Sequence, residues 1–179
     1  MIDWSAQQRV TVLMPTWIGD VCMATPTLQL LRERLPVGAV ITAVVRHGMK
    51  PLLHGLASVD DVIRCDPQGV LGPLRAGRRI AETRPDTVLV LPGSFRSALS
   101  ARFSGRCRRV GYARDGRAWL LTDAIKSPDR STPVSTIAWY EGLVDPDAPE
   151  GTPTLAVTDK DRAAAASVMP SGNTPFVVL

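Results

Sequence analysis

The fold is decided by residues 9–20, which read Arg-Val-Thr-Val-Leu-Met-Pro-Thr-Trp-Ile-Gly-Asp. The β-branched and apolar run from Val10 to Met14 predicts a buried strand. Pro15 ends this strand, and the chain then bends through Gly19 to present Asp20 where a helix begins. Open α/β sheets bind ligands at the carboxyl ends of their strands. The pattern therefore predicts a strand–turn–helix junction that carries a carboxylate at the ligand-binding edge of a sheet.

Strand and helix patterns alternate along most of the chain. Apolar runs predict further strands over residues 39–45, 59–65, 87–91 and 109–112. Apolar residues at helical spacing predict helices over residues 24–35, 50–56, 71–83, 97–103, 133–144 and 159–169. Strands that alternate with helices through short connections form parallel sheets. The predicted fold class is therefore α/β, with a parallel sheet and helices on both faces.

The composition changes near residue 150. Residues 145–153 are rich in Pro, Asp and Gly, which is typical of a connector. A predicted helix follows, and residues 176–179 begin a further apolar strand. A strand of this buried type needs neighbours for its side chains and backbone groups. We therefore expect residues 1–150 to form one domain, and residues 151–179 to be the connector helix and first strand of a truncated second domain.

The composition is that of a globular protein without a targeting segment. Apolar residues make up 45% of the chain and charged residues 21%, which are ordinary values for a folded domain. The N-terminus lacks a basic segment followed by an apolar one, and no apolar stretch approaches the roughly 20 residues of a membrane span. Cys22, Cys65 and Cys107 form no Cys-x-x-Cys pair, and His47 and His54 have no acidic or cysteine cluster beside them. We therefore expect a cytoplasmic protein with reduced thiols and no metal site.

Asp20 has two interpretations. An Asp at the N-terminus of a helix often caps free N–H groups and is favoured by the helix dipole. A carboxylate that follows a parallel strand is also well placed to contact a ligand or to act in catalysis. Both interpretations are open from residues 9–20 alone.

A second strand-to-helix junction reads Leu91-Pro-Gly-Ser-Phe-Arg-Ser-Ala-Leu99. A parallel sheet places this junction at the same edge as Asp20. Ser94, Ser97 and the first helical N–H groups form a suitable site for an anionic or hydroxylated ligand. The alternative is an ordinary helix that is capped by a serine.

Positive charge is concentrated between Arg96 and Arg117. This segment has seven arginines and one acid, Asp115, whereas the whole chain has a net charge of only +4. A local excess of arginine indicates a polyanionic partner such as a phosphate, a carboxylate, a nucleic acid or an anionic lipid surface. A solvated charged face is the alternative. Aromatic residues are sparse in the segment and no nucleic-acid-binding motif is present, so we do not expect nucleic acid as the partner.

Five blocks of sequence together resemble one enzyme family. They are Pro15-Thr-Trp-Ile-Gly-Asp20, Met23-Ala-Thr-Pro-Thr-Leu28, Leu91-Pro-Gly-Ser-Phe-Arg-Ser-Ala-Leu99, Arg109-Val-Gly-Tyr112 and Leu120-Leu-Thr-Asp123. In order and spacing, the blocks resemble the N-terminal half of the ADP-heptose:lipopolysaccharide heptosyltransferases. The resemblance runs from about Arg9 to the end of the chain.

The resemblance implies a GT-B fold, in which two Rossmann-like domains face each other across a cleft. The acceptor lies mainly on the first domain and the nucleotide sugar mainly on the second, so this chain would be the acceptor-side half. The implied reaction is inverting transfer of heptose from ADP-heptose to the inner core of lipopolysaccharide, without a metal or other cofactor. Asp20 matches the Gly-Asp motif of the family and is the implied general base for the acceptor hydroxyl.

The same resemblance implies substrate-binding residues and partners. The residues are Thr16, Trp17, Gly19, Lys50, Ser94, Phe95, Arg96 and Ser97. The partners are the ADP-heptose donor, held mainly by the second domain, and the lipopolysaccharide-core acceptor, whose carboxylates and phosphates suit the arginines. We also expect peripheral contact with an anionic membrane surface, and we expect the isolated half to be inactive.

Two other functions fit the same sequence. A module that kept only the acceptor-type domain would bind anionic glycans without catalysis. A different GT-B enzyme would transfer a sugar from another nucleotide donor to another acceptor.

Overall fold

The computed structural model describes residues 2–66, 69–129 and 133–168. The strands are β1 (Arg9–Leu13), β2 (Val40–Val45), β3 (Asp61–Arg64), β4 (Thr87–Val90), β5 (Arg108–Tyr112) and β6 (Asp123–Ile125). The helices are α1 (Ile18–Met23), α2 (Thr25–Arg34), α3 (Lys50–Leu53), α4 (Gly72–Ala81), α5 (Phe95–Arg102), α6 (Thr136–Glu141) and α7 (Asp159–Val168). None of the described helices is both long and apolar enough to cross a bilayer.

The six described strands lie parallel in one sheet, in the order β3-β2-β1-β4-β5-β6. β1 is central, because Val10 pairs with Ile41 of β2 on one side and with Thr87 of β4 on the other. The chain extends the sheet from β1 out to β3, crosses back, and then extends it the other way from β4 to β6. This is the order of a doubly wound, Rossmann-like sheet. The predicted α/β fold with a parallel sheet is confirmed.

Alternate residues of the central strands pack into two separate cores. Val12 of β1 is fully buried in the core that contains Leu28 of α2. Its neighbour Leu13 lies in the other core, with Ile80 of α4 and Ala98 of α5. Successive side chains of a strand point to opposite faces of the sheet. The prediction that helices cover both faces is therefore confirmed.

The helix predicted over residues 24–35 is present as α2, and a separate short helix, α1, precedes it. α1 ends at Met23, and Ala24 joins it to α2, which begins at Thr25. Pro26 has no N–H to donate to the carbonyl of Cys22. That carbonyl accepts a hydrogen bond from the Thr25 hydroxyl instead, at 2.8 Å. The sequence predicted that a helix begins at Asp20, but not that α1 is a separate helix, because its six residues are too few to show a helical period.

The segment after α6 packs against the sheet domain. The N–H of Gly151 donates to both carboxylate oxygens of Glu141 at 3.2 Å, and the N–H of Thr154 donates to the Thr25 hydroxyl at 2.9 Å. The predicted helix over residues 159–169 is present as α7, and none of its residues is buried. The strand predicted at residues 176–179 lies outside the described residues. The division of the chain at residue 150 therefore stays a prediction.

α4 and α5 approach each other closely at Gly77. A Cβ added to Gly77 would lie 2.7 Å from the backbone carbon of Phe103 and 2.8 Å from the carbonyl oxygen of Ser100. These atoms belong to the end of α5 and to the residue that follows it, so neither moves without shifting the helix. The absence of a side chain at residue 77 therefore sets the spacing of the two helices.

We predict that Gly77→Ala destabilises the fold. The added methyl group overpacks the contact between α4 and α5, and we expect the free energy of unfolding to fall by about 1–3 kcal/mol. Gly93→Ala is the matched control, because a Cβ at Gly93 would meet no atom within 4 Å. Urea denaturation of both variants measures the difference, and equal stabilities would contradict the close approach.

Candidate functional site

The two strand-to-helix junctions meet at one point of the sheet edge. β1 and β4 are neighbours, and the order of strand addition reverses between them. α1 follows β1 and α5 follows β4, on opposite faces of the sheet. The crevice outside such a switch point is where doubly wound sheets bind ligands. The structure thus brings together the two junctions that the sequence singled out.

The first junction presents Asp20 in the first turn of α1. The N-cap of this helix is Trp17, which has an extended backbone and makes no side-chain cap. Asp20 is half-buried, and its carboxylate accepts no side-chain hydrogen bond within the described part of the chain. Asp20 is therefore not the N-cap residue of α1, although its place in the first turn agrees with the expected interaction with the helix dipole. Thr16, Trp17 and Gly19 are exposed beside it, and Trp17 has 75% of its surface accessible.

A buried phenol lies near this carboxylate. α6 contacts α1 and carries Tyr140, whose side chain is almost completely buried. Burial, with a smaller contribution from the negative charge of Asp20, raises the pKa of Tyr140 to about 12. Tyr140 therefore stays neutral at physiological pH and adds no charge beside Asp20.

The second junction is a serine-capped helix start. The Ser94 hydroxyl oxygen accepts a hydrogen bond from the N–H of Ser97 at 3.3 Å. The Ser97 hydroxyl lies 2.7 Å from the Ser94 carbonyl oxygen and 3.0 Å from that of Pro92. α5 accordingly begins at Phe95, two residues earlier than the sequence pattern predicts. Ser94 therefore caps the helix, and its contact with a ligand stays a prediction.

A cavity of about 310 Å³ opens between the two junctions. Its polar lining consists of Thr16, Arg46, Ser94, Arg96, Ser97 and Ser100. Four of the predicted substrate-binding residues thus line one cavity. Trp17, Gly19, Asp20 and Phe95 belong to the same junctions but do not line it. Lys50 is exposed in the first turn of α3, also outside the cavity.

Arg46 is a site residue that the sequence analysis missed. It follows β2 directly, is exposed, and lines this cavity as well as a neighbouring one of about 400 Å³ that contains Thr16, His47 and Arg64. Its guanidinium donates no hydrogen bond to any described residue. The sequence could have indicated Arg46, because it is the first residue after the second predicted strand. Pro15 holds the corresponding position after the first strand.

Arg117 stabilises the second junction through hydrogen bonds from the interior of the protein. Its side chain is completely buried, at 0% exposure, and Nε donates to the Tyr112 carbonyl oxygen at 2.9 Å. Nη1 donates to the carbonyl oxygens of Pro92 and Ser94 and to the Ser97 hydroxyl. Nη2 is buried and has no hydrogen-bond partner among the residues that the structure describes. Burial lowers the pKa of Arg117, and the charge of Asp115 partly opposes that shift.

The arginine-rich segment is not one positive surface. Arg117 is buried, and Arg108 is paired with Asp123 at 2.6 Å. Arg102 ends α5 and Arg106 precedes β5, so both lie at the opposite edge of the sheet from Asp20. Arg96 lines the cavity and donates to the Gly69 carbonyl oxygen at 2.9 Å. The expectation that these arginines act together is therefore wrong, because the fold separates residues that are close in sequence.

A wider depression of about 1170 Å³ lies farther along the sheet, between β6 and α6. It contains Arg114, Lys126 and Ala138 but no residue of the two junctions. Within the described ranges, no group of three His, Cys, Asp or Glu side chains is arranged to hold a metal ion. The candidate site is therefore the smaller cavity at the switch point, together with Asp20.

The chain matches the sequence model of glycosyltransferase family 9 (heptosyltransferase) over residues 74–179. The lipopolysaccharide heptosyltransferase 2 of Escherichia coli strain K12 is 34% identical to it over 121 residues, which are 64% of this chain and 34% of that protein. The chain thus spans about a third of the length of the curated relatives that it matches.

Solved structures with the same fold include two family members. E. coli ADP-heptose lipopolysaccharide heptosyltransferase II has a TM-score of 0.76 at 25% identity, covering 91% of this chain and 51% of that chain. A family 9 glycosyl transferase from Veillonella parvula DSM 2008 has a TM-score of 0.79 at 20% identity, covering 93% and 49%. The second similarity supports the fold alone. The doubly wound sheet described above corresponds to about half of each solved chain.

We predict that Arg117→Met strongly destabilises the second junction. The substitution removes the hydrogen bonds from the buried guanidinium to the carbonyl oxygens of Tyr112, Pro92 and Ser94, and we expect the free energy of unfolding to fall by about 2–4 kcal/mol. Arg102→Met is the control, because Arg102 is exposed in the last turn of α5. Denaturant unfolding tests the pair, and a loss below about 0.5 kcal/mol for Arg117→Met would mean that these hydrogen bonds are dispensable.

Proposed function

The chain belongs to glycosyltransferase family 9, and from that premise we propose that it forms the acceptor-binding half of an inverting heptosyltransferase. The donor is ADP-heptose and the acceptor is the inner core of lipopolysaccharide. The observation that carries the proposal is the position of Asp20 at the switch point of the sheet, where its carboxylate accepts no hydrogen bond from the described residues. Beside it lies a cavity lined by hydroxyl and guanidinium groups.

Asp20 is the general base of the proposed reaction. An acceptor hydroxyl attacks the anomeric carbon of the heptose, the new C–O bond forms, and the bond to the ADP oxygen breaks on the opposite face. A sugar hydroxyl is a weak nucleophile at neutral pH, so its proton must leave as the bond forms. That proton passes to the Asp20 carboxylate, and the electron pair of the broken bond leaves with ADP. Gly19 keeps the approach open, because a Cβ there would meet no atom within 4 Å.

The cavity between the two junctions binds the anionic part of the acceptor. Thr16, Ser94 and Ser97 supply hydroxyl groups, and Arg46 and Arg96 supply charge. Guanidinium groups bind carboxylates and phosphates through paired hydrogen bonds. Inner-core sugars carry such groups. Trp17 and Phe95 lie in the same two junctions outside the lining of the cavity, and Lys50 supplies a further cation beyond it.

The proposed domain division places the acceptor site in residues 1–150. The hydrogen bonds from Gly151 and Thr154 attach the connector to Glu141 and Thr25. α7 then follows without a buried residue. This supports residues 151–179 as the beginning of a second, donor-binding unit that would hold most of the ADP-heptose.

A peripheral contact with an anionic membrane surface completes the proposal, together with a cytoplasmic location. Arg102 and Arg106 are exposed near one another at the sheet edge opposite the cavity. Clustered basic side chains are attracted to anionic lipid head groups. This contact would keep the protein close to its lipid-linked acceptor.

We predict that Asp20→Asn lowers kcat for heptose transfer by about a hundredfold or more, because the amide cannot take the proton. The dissociation constant for ADP-heptose should stay near the wild-type value. Asp61→Asn is the control, since Asp61 is exposed at the start of β3 on the opposite edge. Turnover by the complete gene product is the measurement, and wild-type turnover in a folded Asp20→Asn protein would remove Asp20 from the mechanism.

We predict that two pairs of arginines have separable roles. Arg46→Gln and Arg96→Gln should each weaken binding of a delipidated core oligosaccharide by about tenfold, the loss expected for one charged hydrogen bond. Arg102→Gln and Arg106→Gln should leave that binding unchanged and reduce co-sedimentation with anionic vesicles, most visibly where the Debye length exceeds about 8 Å. If all four variants lost both activities equally, the division between a binding cavity and a membrane-facing edge would be wrong.

A further inference from the structure

Two exposed aromatic rings lie together at the rim of the second junction. Trp119 has 70% of its surface accessible and Phe95 has 39%. Their ring centroids are 6.1 Å apart, and the ring planes are tilted by 54°. Apolar rings of this size are usually withdrawn from water, so an exposed pair indicates a surface that something covers.

The pair is held rigidly. Trp119 lies in the short 3-10 turn Ala118–Leu120, between the buried residues Arg117 and Leu120. The N–H of Leu120 donates to the Arg117 carbonyl oxygen at 2.9 Å, and the guanidinium of Arg117 binds the loop that precedes Phe95. The backbone on which each ring stands is therefore bonded to Arg117. A ligand that binds them orders little additional chain, which favours affinity.

We propose that Phe95 and Trp119 form a stacking platform for a sugar ring of the acceptor, a subsite beyond the anion-binding cavity. This inference rests on the proposed function. One face of a pyranose ring presents C–H groups that pack against an aromatic ring, while its hydroxyl groups extend from the edge. Ser94 and Arg96, the residues on either side of Phe95, line the cavity with polar groups. A glycan that enters the cavity with its anionic group therefore extends its next ring over the platform.

The surroundings of the platform favour a sugar over a lipid surface. Two rings expose a small area, and their tilt forms a notch rather than a flat face. Asp115 is exposed four residues before Trp119, and its negative charge opposes contact with an anionic bilayer.

The test uses two substitutions of Trp119 in the purified protein. Trp119→Ala removes the platform, and Trp119→Phe keeps a flat aromatic face. The probes are a delipidated lipopolysaccharide-core oligosaccharide and inorganic phosphate, each titrated by calorimetry. Val37→Ala is the control, because Val37 is a fully exposed apolar residue in the turn between α2 and β2, at the opposite edge.

We expect Trp119→Ala to raise the dissociation constant of the oligosaccharide about tenfold, the loss of roughly one aromatic stacking contact. Trp119→Phe should restore most of the affinity, and the affinity for phosphate should be unchanged in both variants. Equal oligosaccharide binding by the wild type and Trp119→Ala would overturn the platform and leave the proposed function standing. A wild-type protein that binds no core oligosaccharide would overturn both. Loss of binding to anionic vesicles alone would overturn the sugar assignment in favour of a lipid surface.

Discussion

The central position of β1 is the constraint on which the rest of the structure depends. Because β1 has a parallel neighbour on each side and helices on both faces, its side chains alternate between two cores, and neither core forms without it. The same position makes the chain reverse its direction of sheet growth between β1 and β4. The loops that leave these strands must then diverge to opposite faces, and the space between them becomes the cavity. The position of the site therefore follows from the order of the strands alone, whichever side chains line it.

Arg117 determines how well one side of that space is ordered. A buried guanidinium without a carboxylate partner is costly unless its hydrogen bonds are satisfied by other groups. Here three backbone carbonyls and a serine hydroxyl accept most of them, and one nitrogen accounts for the unsatisfied remainder. Burial of the guanidinium costs desolvation free energy, and its hydrogen bonds fix the loop that bears Ser94 and Arg96. It also places a positive charge beneath the loop, only partly balanced by Asp115, which favours an anionic ligand above it.

The sequence was informative where one residue type serves one structural purpose. Continuous apolar runs predicted the central strands, since a strand buried on both faces tolerates little else, and the breaks after Met14 and Leu91 located both junctions. Short elements were harder to predict: a helix start at Asp20 was expected but the bounds of α1 were not, and β6 was not predicted, because six and three residues are too few to show a period. The arginine-rich segment was wrongly predicted to be one positive surface, because the sequence does not distinguish an arginine that binds carbonyl groups in the core from one that is exposed to solvent. Arg117 and Arg102 are separated only by burial, which depends on contacts between distant parts of the chain.

The two sides of the site differ in how they are supported, and this difference suits the proposed chemistry. The loop before α5 is tied to β5 by hydrogen bonds, so a ligand bound to it is held in a fixed orientation. Asp20 lies instead on a single short helix that rests on α6, where the neutral phenol of Tyr140 is its buried neighbour. A binding group benefits from rigidity, because affinity falls with each side chain that must be ordered. A proton acceptor needs an unoccupied lone pair directed at the substrate, and the hydrogen bonds that would stiffen the carboxylate would also occupy that lone pair. A loop with fixed serine hydroxyl groups, next to a carboxylate that is unbonded within the described ranges, therefore suits direct displacement by a sugar hydroxyl.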